Sequence, residues 1–69
     1  MKIIYVQVQF EFVFEKETDS TMIATYVGNS DVSEDIAIMK AWLKMANDNF
    51  DRNLILKTKE IKVKDIKVL

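Results

Sequence analysis

The twenty residues Asp31–Phe50, DVSEDIAIMKAWLKMANDNF, decide the fold of this chain. Their apolar positions recur at steps of three and four, the helical period, whereas the apolar segments before them alternate at a period of two. Val32, Ile36, Met39, Leu43, Ala46 and Phe50 form one stripe, which is expected to pack on a sheet. Ile38, Trp42 and Met45 form a second stripe beside it. At roughly 100° per residue the first stripe centres almost opposite Ala37, Ala41 and Asp48. The second stripe, with Ala41, is therefore expected on the outer face of the helix, where a partner would dock.

The flanks of this segment fit a helix spanning 31–49. Asp31-Val32-Ser33-Glu34 has the spacing of a capping box, and the acidic residues of the first turn complement the helix dipole. Asn47, Asp48, Asn49, Asp51 and Asn53 are weak helix formers, so the end is expected to fray between Asn47 and Asp51. Asparagine also tolerates the left-handed conformation of a helix end.

Upstream, Ile4, Val6, Val8, Phe10, Phe12 and Phe14 alternate with Tyr5, Gln7, Gln9, Glu11, Val13 and Glu15, the pattern of a long half-buried strand over 2–14. Glu15–Asp19 reads as a polar turn, and 20–27 as a β-branched return strand that completes a hairpin. Either Met22, Ala24 and Tyr26 or Ile23, Thr25 and Val27 face the core, because register depends on a turn geometry that residue types leave open. Downstream, the parity of the apolar residues slips. Leu54 and Leu56 are even, Ile61 and Val63 odd, and Ile66 and Val68 even again. Bulges near Thr58 and Asp65, or a break into two short strands within 54–68, would restore a single apolar face. The expected architecture is a single α+β domain over residues 1–69, ββαβ in order. It has an antiparallel three-stranded sheet, or a fourth short strand if 54–68 breaks, with the last strand beside the first and one helix on one face.

At 69 residues the chain lies near the lower limit at which one core offsets chain entropy, and it contains no cysteine and no histidine to staple it. Core packing or self-association must supply the stability. The start has no apolar run followed by a small-residue cleavage site, and no stretch approaches the ~18 apolar residues of a membrane span, so a cytoplasmic location without membrane partners is expected. The net charge of −1 argues against a generally basic nucleic-acid binder. Its distribution is lopsided: residues 1–35 hold two lysines against seven carboxylates, and residues 36–69 hold eight basic residues against four acidic ones. The asymmetry makes a molecular dipole only if the acidic hairpin and the basic tail lie apart.

Catalysis is the weakest reading. Without His or Cys the usual bases, nucleophiles and soft metal ligands are missing, and no metal or cofactor is expected. Glu34 and Asp35 fit dipole complementarity, Glu15, Glu17 and Asp19 fit a turn, and a single glycine rules out a Gly-rich phosphate loop. Two binding surfaces remain. Lys57, Lys59, Lys62, Lys64 and Lys67 could line phosphates, with Tyr5 and Tyr26 as stacking surfaces, although lysines more often solubilise a face and protect an edge, and Glu60 and Asp65 interrupt this ladder. Ile38, Ala41, Trp42 and Met45 form the stronger candidate, since a tryptophan with a flexible methionine resembles the anchors of protein interfaces.

The strand Val6–Phe14 would recruit other strands if it lay at a sheet edge. Nine lysines to one arginine, with no proline, fit an AT-rich coding sequence and hence a low-GC bacterium or its phages and mobile elements. The leading expectation is a non-catalytic interaction protein of that kind, regulating or inhibiting a host protein through its outer helix face or pairing with itself. The alternative is a nucleic-acid-binding module using the lysines, and acidic phosphate mimicry ranks below both.

Overall fold

The structure, a computed structural model, describes residues 2–69. Strand β1 (Ile4–Phe14) is followed by β2 (Met22–Ser30), helix α1 (Glu34–Asp51), a single 3₁₀ turn over Ile55–Lys57, and β3 (Thr58–Val68). The sheet is antiparallel in the order β2-β1-β3, so the last strand lies beside the first and the ββαβ architecture is as expected. With β1 central, the aggregation-prone strand is paired on both sides and its hazard is removed.

The alternating pattern of β1 fixes one side of the sheet. Val6, Val8, Phe10 and Phe12 are fully buried beneath the helix. They pair with Gly28, Tyr26, Ala24 and Met22 of β2, so the even-numbered residues of β2 face the core, while Ile23 and Val27 face outward. On β3 the partners are Val68, Ile66, Val63 and Ile61. The register shifts between Gln9 and Phe10 and between Val13 and Phe14, which leaves Lys64 and Lys59 as extra residues in β3. These two bulges stand next to the positions expected from the parity slips, and they keep every apolar residue of one continuous strand on the helix side. Leu54 and Leu56 are not part of that strand. They belong to the helix exit and the 3₁₀ turn, which Thr58 closes by donating its hydroxyl to the Leu54 carbonyl at 2.8 Å.

The helix begins at Glu34, three residues later than the expected start at 31. Ser30, buried at the end of β2, accepts the Val32 and Ser33 amides on its hydroxyl oxygen at 2.9 and 3.3 Å, which holds this stretch as a turn. Ser33 is the N-cap, and its Oγ accepts the Ile36 amide at 3.3 Å. The far end does not fray at Asn47. Asn53 adopts φ 59°, the Leu54 amide donates to Asn49 O and the Asn53 amide to Phe50 O, both at 2.9 Å. This is the paired-bond termination of a Schellman motif, with asparagine where glycine is usual.

The helix lies across β2 and β1 and stops short of β3. Gly28 sets how close it comes. A Cβ at this position would overlap the Ala37 carbonyl oxygen and approach the Ala41 amide nitrogen to 2.7 Å, so strand and helix meet backbone to backbone. Gly28→Ala is therefore expected to destabilise the domain by ~3 kcal/mol or more, since neither contacting atom can swing away. Equilibrium denaturation measures this, and a change below ~0.5 kcal/mol would contradict the packing.

Candidate functional site

The close approach at Gly28 dictates which helix face is buried, and that face is not the bulky stripe. Ala37, Ala41, Met45 and Asn49 lie against the sheet, with Ile38 and Trp42 packed on the core's edge. The assignment of Ile38, Ala41, Trp42 and Met45 to an outer, partner-binding stripe is corrected accordingly. Ala41 and Met45 are 0% and 1% exposed, and the Trp42 ring stands edge-on to Phe10 with ring centroids 4.8 Å apart. Side-chain size does not mark the core-facing side of this helix, because a backbone-to-backbone contact selects small residues.

The stripe expected to pack on the sheet points the other way. Met39, Leu43 and Phe50 are 54%, 57% and 59% exposed along the back of the helix, with Ala46 half-buried among them and Val32 exposed just before the first turn. The flank toward β2 is polar. Lys44 reaches down to donate to the Val27 carbonyl at 2.9 Å, and Lys40 lies one turn earlier on the same side. The opposite flank, carrying Ile38, Trp42 and Ala46, descends toward β3. There the helix side of β3 has no helix over it, and Val63, Ile66 and Val68 stand 40%, 45% and 53% exposed. Together these residues form a step: an apolar ridge, the wall of the helix, and an apolar floor on β3. The only glycine of the chain lying in a strand, with two alanines four apart in the following helix, was the signal that could have located it.

A polar cluster secures the other end of the helix to β2. The Tyr26 hydroxyl donates to the Asp48 carboxylate and accepts from the Asn49 amide at 3.0 Å, and Asn49, fully buried, also donates to the Met45 carbonyl at 2.9 Å. Arg52 pairs with Asp48 at 3.5 Å on the exposed side. Burial pushes the Tyr26 phenol above its ordinary 10.0, and the neighbouring Asp48 carboxylate adds to the shift. The Tyr26 hydroxyl and the Asn49 amide nitrogen are both engaged within the chain, which fits a structural pin.

The lysines do not make a ladder. Lys57 lies in the 3₁₀ turn and Lys59 and Lys64 occupy the bulges, while Lys62 and Lys67 pair across from Glu11 and Gln7. Lys62 is 4.0 Å from Glu60, and Asp65 separates the two outward lysines. Tyr26 faces the helix rather than the open sheet, which leaves Tyr5 alone there as a stacking surface. The acidic and basic halves also interleave. The Glu15 amide donates to the Lys57 carbonyl at 3.2 Å, and Glu15, Lys16, Asp19, Leu56 and Lys57 line one shallow groove of about 320 Å³, so the acidic turn and the start of the basic tail lie together rather than apart. Among the described residues no three His, Cys, Asp or Glu side chains gather as a metal site, and no helix is long and apolar enough to cross a membrane. Compared with protein-family models, with curated proteins and with solved structures, the chain matches none.

Tyr26→Phe is expected to cost about 1 kcal/mol at neutral pH, because Asp48 and Asn49 lose their shared partner. Tyr26 is held neutral in the folded protein and ionises more readily unfolded, so its stabilisation is complete below pH 10 and is lost as pH rises through its elevated folded value. The stability gap between wild type and Tyr26→Phe should therefore narrow above pH 10. A gap that stays constant in denaturation curves from pH 8 to 11 would contradict the burial of the phenol.

Proposed function

We propose that this protein is a non-catalytic protein-interaction module that binds through its helix-side apolar surface, the ridge Met39, Leu43 and Phe50 with the β3 floor Val63, Ile66 and Val68. The observation that carries this reading is the exposure of that surface. Six large apolar side chains on two elements are 40–59% exposed, an amount comparable to the largest apolar patch of a typical monomer, roughly 300–600 Å², which is itself often functional. Methionine, leucine and phenylalanine on a helix are also the anchors by which one helix face enters a partner's groove. The residue usage and the absence of histidine and cysteine fit an accessory protein of a phage or mobile element that acts by occupying a surface rather than by turning over a substrate.

Nucleic-acid binding is the weaker reading, because the outward lysines of β3 alternate with carboxylates and would track few phosphates. Pull-downs with and without nuclease separate the two. The bait is tagged wild type, Leu43→Asp, or a Lys62→Glu/Lys64→Glu double variant, in low-GC bacterial cells that also make the untagged chain. Recovery of protein, resistant to nuclease and lost with Leu43→Asp, is the expected result. Nuclease-sensitive recovery lost with the lysine reversal, or no protein recovered, would overturn the proposal.

A further inference from the structure

We infer that the occupant of the helix-side surface is a second copy of this chain, packed face to face about a two-fold axis. In that dimer the Met39/Leu43/Phe50 ridge of each copy sits on the Val63/Ile66/Val68 floor of the other. The inference rests on the protein-binding reading above and names its partner.

Four observations on the molecule converge on it. First, each copy carries both halves of the contact. The helix packs mainly on β2 and less on β1, and β3 lies two strand spacings of ~4.8 Å from β2, close to the 8–10 Å between packed helices, so a second helix can lie beside the first over β3. An axis running between α1 and β3 lays the partner's helix into that place and the partner's β3 over the ridge, which is an isologous, closed contact. The Trp42 and Ala46 flanks of the two helices then meet at the centre.

Second, the area suffices. At their observed exposures the six side chains leave on the order of 600 Å² uncovered per copy, close to the ~800 Å² per partner of a standard stable interface before the flanks are added. Third, the single chain is thin and over-exposed for its mass. It measures 47 × 21 × 13 Å with a radius of gyration of 13.1 Å, against about 11 Å for a compact chain of this length. It exposes 4977 Å², against roughly 4500 Å² for a compact monomer. Stacking a second layer on the 13 Å dimension brings the three extents closer together.

Fourth, edge-to-edge pairing at β3 itself is obstructed. The free edge of β3 carries two bulges with a lysine in each, the devices that prevent strands from adding edge to edge. The face of β3 is left open and its edge is guarded. The polar flank of the helix, Lys40 and Lys44, lies toward β2 and outside the contact.

Sedimentation equilibrium of the wild type, Leu43→Lys and Ile66→Glu, alone and as an equimolar mixture of the two variants, tests the arrangement. The wild type is expected at twice its 8.1 kDa mass, and each variant alone should dissociate with a Kd raised roughly 30-fold or more. The mixture should regain the dimer. In the mixed pair one contact site sets the introduced lysine against the introduced glutamate, and the other keeps Leu43 on Ile66 as in the wild type. This recovery also shows that each variant is folded. A wild type that stays monomeric while the nuclease-resistant, Leu43-dependent capture persists would overturn the self-pairing and leave the protein-binding reading intact. A dimer indifferent to both substitutions would overturn the two together.

Discussion

The structure depends on one steric constraint, the absence of a side chain at Gly28. Because nothing projects from β2 there, the backbone of α1 can settle on the strand with its Ala37 carbonyl and Ala41 amide against the glycine. Contact at that distance requires alanine, not leucine, on the helix, so the small residues are drawn inward and the large ones are turned out. The position of the helix over β2 and β1 follows, as does the bareness of β3. The exposed apolar surface is thus a consequence of how the core is made. The same tight seat that stabilises the chain leaves it with uncovered apolar residues.

Much of the fold could be read from residue order. The alternation from Ile4 to Phe14 has only one apolar face, and the parity slips in the last segment demand bulges, which occur at Lys59 and Lys64. Both are period-two arguments, and the pleat of a strand makes them strict. The return strand was ambiguous because both of its faces are moderately apolar. Pairing settled it, by setting Gly28 opposite Val6 and Tyr26 opposite Val8. The helix boundaries shifted by three residues at the start and two at the end, where Ser30 and Ser33 accept backbone amides and Asn53 takes the left-handed turn, roles that several neighbouring residues could have served.

The candidate site was legible in kind but not in phase. Two apolar stripes on one helix announce that one of them lacks an internal partner, whichever it is. Choosing between them by bulk fails here because the side-chain volume over the sheet comes from β1, whose Phe10 and Phe12 already fill the space beneath the helix. Ile38 and Trp42, half-buried, close the edge of that core. The lysines of β3 were legible as residues but not as a surface. Only the register shows that bulges and intervening carboxylates break them into separate charges.

The central claim is that α1 seats on Gly28 through Ala37 and Ala41 and turns Met39, Leu43 and Phe50 away. Nuclear Overhauser contacts from the Gly28 α-protons test this most directly, recorded with isotope filtering so that only contacts within one copy are read. Contacts to Ala37 and Ala41, and none to Met39 or Leu43, are expected. Contacts from Gly28 to Met39 or Leu43 would contradict it, and with it the surface on which the functional reading rests.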